Sequence, residues 1–198
     1  MNRYEIRIAG FGGQGVITLS KMIAHAGAIH EGLTVAQTEA YSAAARGGKC
    51  WAEVVVDLDK KEKLIDYPKA LEPYDVLIVL SQAAADEVKP SMVKNETNTG
   101  YVIWDTKMIE KFRGIQKMKA LGLPVQELAI EKYGEAVFGN SILFGAFTKI
   151  AHIFPVEAAK KTLEHFVPNA TLAKNLDAFE LGMIRGKEFL ASLIGEDR

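Results

Sequence analysis

A single cysteine, Cys50, stands in the 198-residue sequence, so no internal disulfide forms and no cysteine-ligated metal or iron–sulfur centre can be built from this chain alone. Charge of one sign is missing too. The 24 Lys and Arg stand against 25 Asp and Glu, a net charge of -1, which leaves no bulk field to recruit nucleic acid or an anionic membrane. No apolar run approaches the roughly 20 residues of a membrane span, and the opening Met1-Asn-Arg-Tyr-Glu-Ile6 lacks the apolar core of a signal peptide. The expectation is a cytoplasmic chain in a reducing compartment, with neither nucleic-acid nor membrane partners. Neither G-x-S-x-G nor H-E-x-x-H occurs, and the four histidines fall in helix-patterned segments, so no serine nucleophile or zinc-binding helix is indicated. There is no internal repeat, low-complexity stretch or linker.

Glycine is abundant in one place. Ile6 to Val16 reads Ile-Arg-Ile-Ala-Gly-Phe-Gly-Gly-Gln-Gly-Val, and Gly10, Gly12 and Gly15 satisfy G-x-G-x-x-G between an apolar strand and a helix-patterned segment. In that context the glycines permit a tight turn, a close approach to the backbone and close helix–strand packing, and amides at the helix start favour a phosphate or carboxylate. A compact turn that binds nothing would need the same glycines.

The pattern beyond it is that of an α/β chain. Tyr4 to Ala9 reads as a strand with Ile6 and Ile8 on one face. A helix follows from Val16 to a stop at Gly32, and Leu33 to Thr38 reads as a second strand. Such a βαβ unit crosses over right-handed and puts both strands in a parallel sheet. Further strands are expected at Cys50 to Val56, Asp75 to Leu80, Gly100 to Trp104 and Val125 to Leu128. A helix N-capped by Ser81 is expected over Ala83 to Val93. From Asn140, read as an N-cap, a helix apolar on nearly every side runs to Phe154-Pro155. An amphipathic helix over Val156 to Phe166 and a last helix striped by Leu172, Leu176, Phe179, Met183, Gly186, Leu190 and Leu193 complete the chain. The whole reads as a Rossmann-like, doubly wound, mostly parallel sheet with a C-terminal helical extension. The length suits one domain over 1–198, with a βαβ sheet region at 1–135 and helices at 136–198 that pack on it or on partner subunits.

Glu39, just past the expected end of the second strand, stands about where an acid would hold the ribose of a dinucleotide. A stand-alone dinucleotide-binding dehydrogenase or regulator is therefore one reading, although no second domain is available for a substrate. Arg46 beside Gly47-Gly48 suits a carboxylate, a phosphate or a partner carbonyl, and equally a solvated turn.

Gly10-Phe-Gly-Gly-Gln-Gly-Val16, Gln37-Thr-Glu-Ala-Tyr41 and Ala45-Arg-Gly-Gly48 occur in that order. Asp66-Tyr-Pro68, Asp75-Val-Leu-Ile-Val-Leu-Ser-Gln82 and Gly139-Asn-Ser-Ile-Leu-Phe-Gly-Ala146 follow them. Together they resemble the gamma subunit of the 2-oxoacid:ferredoxin (2-oxoacid:acceptor) oxidoreductases, the pyruvate/2-oxoglutarate ferredoxin oxidoreductase family, over most of residues 4 to 150. The resemblance implies a complex that oxidatively decarboxylates a 2-oxoacid with coenzyme A to acyl-CoA and CO2. It implies thiamine diphosphate with Mg2+ between alpha and beta subunits, and [4Fe-4S] clusters on beta and a ferredoxin-like (delta) subunit. On this reading the chain itself binds no cofactor, has no catalytic residue or metal ligand and is inactive when isolated; it supports assembly and coenzyme A access. Gly10, Gly12, Gly13, Gln14, Gly15, Thr38, Tyr41, Arg46, Gly47, Gly48 and Asn140 are then the candidates for coenzyme A or subunit docking. One departure bears on substrate. Where 2-oxoglutarate-type members commonly read Ser-Tyr-Gly-Pro-Glu-Ala-Arg-Gly-Gly, this chain has Ala40-Tyr-Ser-Ala-Ala-Ala-Arg-Gly-Gly48, which leaves 2-oxoglutarate and branched-chain or aryl oxoacids such as phenylglyoxylate open.

Overall fold

The structure is a computed structural model that describes residues 2–42, 48–94 and 99–196. Strand β1 (Arg3–Phe11) runs through the glycine turn into helix α1 (Val16–His25), which continues as a π-helical turn over Ala26–His30. Strands β2 (Thr34–Tyr41), β3 (Lys49–Asp57) and β4 (Val76–Val79) follow, then the short helix α2 (Gln82–Ala85) and strands β5 (Tyr101–Asp105) and β6 (Ala120–Leu123). Helices α3 (Val125–Tyr133), α4 (Gly139–Ala151), α5 (Val156–Phe166) and α6 (Leu172–Glu196) complete the described chain.

The six strands lie in the order β2-β3-β1-β4-β5-β6. From β1 to β6 neighbours pair in parallel, while β3 runs antiparallel to both β1 and β2. The α/β, mostly parallel sheet with a helical C-terminal part is therefore as the sequence leads one to expect, with a correction at the first crossover. Strands β1 and β2 point the same way but do not touch, because β3 folds back between them. The burial of these strands explains the choice. Ala52 to Asp57 of β3 are buried, which an interior strand requires, whereas β2 is half-exposed along its length and tolerates an edge.

Alternation divides the core between the faces. Ile6, Ile8, Val54, Val56, Val76 and Ile78 point toward α1, α4 and α5, and Val55, Leu77, Val79 and Val102 point to the other face. On that second face α2 and short turns supply the cover. The continuous apolar run Val76–Val79 is buried on both sides, as a central parallel strand should be.

Three further expectations are corrected. The helix after Ser81 stops at Ala85 and does not reach Val93. Its Ser81 cap is as expected, the hydroxyl accepting from the Ala84 amide at 3.3 Å. Downstream, Pro90 starts a 3-10 turn, and the next residues are drawn back to the sheet, Tyr74 N donating to Met92 O at 2.8 Å and Lys94 N to Tyr74 O at 3.0 Å. Val125 to Leu128 is the first turn of α3 rather than a strand; the last strand is Ala120–Leu123. Pro124 stands at the N-cap, where it has no amide to lose, and its carbonyl accepts from Leu128 N at 2.9 Å. Asn140 lies within the first turn of α4, whose N-cap is Phe138.

Helix α4 is buried from Ser141 to Thr148, and α6 crosses it at a distance that only glycine permits. A Cβ on Gly145 would fall on the Phe179 carbonyl oxygen, and one on Gly182 on the Ile142 carbonyl oxygen, each well inside van der Waals contact. Ser141 Oγ donates to Asn175 Oδ1 at 2.7 Å across the same seam. Overpacking such a contact costs about 1 to 3 kcal/mol or more. Gly182→Ala should therefore lower the unfolding free energy by that much, seen as a lower denaturant midpoint at unchanged m-value; an unaltered midpoint would show that the crossing is loose.

Helix α5 seats on the end of α1 through histidines. His25 stacks on His165 at 4.7 Å between centroids and meets His30 edge-on at 5.1 Å. The Thr162 hydroxyl already donates to Ala158 O at 3.0 Å, so it accepts from His25 Nδ1 at 3.2 Å, which places a proton on Nδ1. Burial, then the charges of His165 and His30, hold the His25 pKa below its ordinary 6.5. Since the unfolded chain then binds the proton more readily, this group stabilises the fold above about pH 6.5 and the contribution is lost as pH falls toward the depressed value. Urea unfolding at about pH 7.5 and 5.5 should show an acid loss that His25→Gln reduces; equal losses in both proteins would remove His25 from the account.

Candidate functional site

The parallel strands β1, β4 and β5 all end on one edge, and the connections leave it in opposite directions, from β1 toward β2 and from β4 toward β5. Open α/β sheets bind ligands at such a point. A cavity of about 220 Å3 lies there. Its walls come from the glycine turn (Gly13, Gln14, Gly15), the strand ends (Leu80, Asp105), the start of α3 (Val125, Gln126), the turn before α4 (Ala136, Val137) and the start of α4 (Gly139, Asn140, Leu143).

The glycine turn is held from inside. The Gln14 carboxamide accepts from Phe11 N at 2.7 Å and donates to Leu80 O at 2.6 Å, tying the end of β1 to the end of β4. Gly10 makes room for that carboxamide, since a Cβ there would lie 2.7 Å from Gln14 Oε1. Two amides that a phosphate cradle would offer are already committed. Gly12 N donates to Gly48 O at 3.1 Å and Gln14 N to Phe11 O at 3.1 Å. Gly15 then takes the left-handed conformation (φ 77) as N-cap of α1, with no side-chain cap, and the first helical bond runs from Leu19 N to Gly15 O at 2.9 Å. The amides of Val16, Ile17 and Thr18 precede that bond, and together with those of Gly13 and Gly15, which donate to nothing among the described residues, they are the donors left for an incoming acceptor. Gly15 carries no Cβ for a second reason: one would fall on the Asn140 carboxamide.

Of the residues singled out in the sequence, Gly13, Gln14, Gly15 and Asn140 thus meet at the cavity. Gly10, Gly12 and Gly48 form its backing, Gly48 being reached through the Gly12 amide. Thr38 and Tyr41 do not join them. Strand β2 extends to Tyr41, beyond the expected end at Thr38, and both residues sit on this edge strand, separated from β1 by β3, with Tyr41 61% exposed. Arg46 and Gly47, like Ala43, Ala44 and Ala45, lie outside the described residues. On either side of them, Ser42 N donates to Lys49 O at 2.8 Å. Glu39 also lies on β2 and pairs with Lys21 at 3.7 Å. A ribose-binding acid belongs on the strand beside β1, and that strand is β3.

Asp105, next after the strand expected over Gly100 to Trp104, is not among the residues singled out in the sequence. It is 1% exposed and lines the cavity, its Oδ1 accepting from Lys107 N at 2.9 Å and Met108 N at 3.2 Å. Its place at the carboxyl end of a buried parallel strand is the signal that could have found it. Gln126 had none, falling where a strand was expected. Cys50 is buried, which pushes its thiol upward, and it faces Gly10 across the β1–β3 ladder. Among the described residues no group of three or more His, Cys, Asp or Glu could hold a metal ion, and no helix is long and apolar enough to cross a membrane.

The family model described as pyruvate ferredoxin/flavodoxin oxidoreductase matches residues 5–184. The 2-oxoglutarate synthase subunit KorC of Methanothermobacter thermautotrophicus is 36% identical over 185 residues, covering 91% of this chain and 93% of the relative. Among solved structures, the gamma subunit of keto/oxoacid ferredoxin oxidoreductase from Geobacter sulfurreducens aligns with a TM-score of 0.77 at 26% identity, covering 93% of this chain and 99% of that one. The 2-oxoglutarate:ferredoxin oxidoreductase of Magnetococcus marinus, solved with 2-oxoglutarate, coenzyme A and succinyl-CoA, shares the fold with a TM-score of 0.77 at 24% identity. It aligns over 95% of this chain but 32% of its own.

The brace predicts its own phenotype. Gln14→Ala orphans Phe11 N and Leu80 O, at about 1 to 3 kcal/mol for buried groups left unpaired, and the Phe11 amide should lose hydrogen-exchange protection. Unchanged protection would mean that the carboxamide is not the clasp.

Proposed function

This chain belongs to the pyruvate ferredoxin/flavodoxin oxidoreductase family, and from that premise we propose that it is the gamma subunit of a complex that oxidatively decarboxylates a 2-oxoacid with coenzyme A, giving acyl-CoA, CO2 and a reduced acceptor. The observation that carries the reading is the likeness to KorC across 91% of the chain, and it favours 2-oxoglutarate over the branched-chain and aryl oxoacids that the Ser42-Ala43-Ala44 departure leaves open. Thiamine diphosphate with Mg2+ and the iron–sulfur clusters are assigned to alpha, beta and ferredoxin-like partner subunits. The residues of this chain do not fit such a cluster, which takes about four thiolates where one Cys is present. Activity therefore belongs to the assembled complex in the cytoplasm.

The part of the gamma subunit is to hold the catalytic subunits and to shape the approach of coenzyme A. The docking face is assigned to the edge formed by Gly10 to Gly15 with Gly48, and Arg46 and Gly47 are assigned to the same contact by their place in the sequence beside Gly48. Its geometry supports the role: the turn is rigid because Gln14 braces it, and Gly12 joins it to Gly48 at 3.1 Å. A stand-alone dehydrogenase fits less well, because Glu39 is one strand too far from β1 and two loop amides are committed.

Anaerobic purification through a tag on this chain should yield a complex with the larger catalytic subunits and coenzyme A-dependent dye reduction by 2-oxoglutarate. A chain that elutes alone and binds NADH at micromolar concentration would contradict the proposal. Within the complex, Arg46→Glu should weaken assembly or raise the KM for coenzyme A by about tenfold or more, as expected for a reversed charge at an interface. Unchanged assembly and KM would remove Arg46-Gly47-Gly48 from the docking face.

A further inference from the structure

The two edges of the sheet are finished differently. Strand β6 has four residues and runs into Pro124, the short, proline-ended form that keeps an edge from pairing. Strand β2 has eight residues with no proline, no lysine and an unbroken one-to-one register to β3, so no bulge blunts it. Its single charge, Glu39, already has Lys21 at 3.7 Å.

The parity of the hydrogen bonds identifies what this edge offers. Ser42 N donates to Lys49 O, so the even residues of β2 bond to β3. The odd ones, Val35, Gln37, Glu39 and Tyr41, turn their amides and carbonyls outward. None of these groups has a hydrogen-bond partner among the described residues. The odd side chains lie toward α1, where Gln37 Nε2 donates to Ser20 Oγ at 3.0 Å, and Ala36, Thr38 and Ala40 alternate to the opposite face.

One two-fold register uses all four open residues. Pairing with a second copy about Thr38 sets Val35 opposite Tyr41 and Gln37 opposite Glu39, so carboxamide faces carboxylate and the 61% exposed Tyr41 is covered by a β-branched side chain. A centre at Gln37 would leave Tyr41 outside the pairing, and a centre at Glu39 would set two carboxylates opposite each other. About Thr38 the two Glu39 are diagonal neighbours, roughly 7 to 8 Å apart, and each keeps its own Lys21. This match of the edge to itself, in charge as in hydrogen bonding, selects a second copy as the occupant.

We infer that β2 is a homotypic interface, two copies of this chain joining antiparallel about Thr38 into one continuous sheet. Thr38 and Tyr41, which the cavity does not use, act here. The inference goes beyond the function proposed above and does not rest on it.

Cross-linking of the purified full chain with oxidised glutathione reads the register. At a non-hydrogen-bonded antiparallel pair the Cα atoms lie about 4.5 Å apart, within the span of a disulfide, so Thr38→Cys should give a linked dimer. Ala36→Cys and Ala40→Cys should each give little alone and a mixed dimer when combined. The parent chain, whose Cys50 is buried, should give none. Without oxidant, sedimentation velocity over about 1 μM to 1 mM, the range of weak association, should show a reversible dimer. Lys21→Glu, at a half-exposed side chain, should weaken that dimer at least about tenfold by gathering four carboxylates at the two-fold. A monomer over the whole range, equal cross-linking at positions 36, 38 and 40, or a Thr38→Cys link to a larger subunit in the purified complex overturns the inference. A monomer that still assembles with catalytic subunits leaves the gamma-subunit reading intact, and a dimer in a chain that never assembles leaves this inference standing and that reading refuted.

Discussion

Close backbone contact at glycine is the constraint on which the architecture depends, and α4 is where it acts. At its start Asn140 lies over Gly15, and along its length Gly145 and Gly182 let α4 and α6 meet through backbone atoms. The helix is buried on nearly all sides, so it cannot shift to accommodate an added methyl at one contact without losing another. The position of the cavity wall that Asn140 and Leu143 supply is consequently set by a seam on the opposite side of the helix. Folding and site geometry are coupled through one buried element, which is how a close-packed interior transmits a local change.

At the sheet edge a second coupling operates through Gln14. Its carboxamide spans β1 and β4, so the turn is shaped by the protein itself and needs no phosphate to order it. What remains open is the run of amides at Gly13 and Gly15 and at the start of α1, one oxygen of Asp105 and two carboxamides. A loop of this kind is a firm surface with one small recess. Firmness suits a docking edge, since preorganised groups lose little entropy when a partner or ligand arrives.

Much of this was legible because it is local. The strand, the glycine turn and the start of α1 are encoded within a dozen neighbouring residues, the Ser81 cap is a one-residue signal, and α5 occupies the predicted Val156–Phe166. Errors arose where pairing partners decide. Thr34–Tyr41 alternates too weakly to announce an edge strand whose end is fixed by β3, and nothing in the spacing tells that β3 will insert beside β1. Val125 to Leu128 is apolar enough for either a strand or a helix start, and packing beneath α4 chose the helix. The site was half visible. The glycines and Asn140 stood out as residue types, whereas Asp105 and Gln126 acquire meaning only when three strand ends and two helix starts converge. Asn140 was read as a cap and, through the resemblance, as a docking candidate, whereas its contact with Gly15 was hidden because it spans most of the sheet's sequence.

The central claim is that the braced glycine turn is the face this chain turns toward its partner subunits, and hydrogen exchange of the chain alone and within the purified complex measures that face directly. Assembly should protect peptides spanning residues 10–15 and 42–50 while leaving the free edge at β6 unchanged. Unaltered exchange over 10–15 and 42–50, with protection elsewhere, would contradict the account.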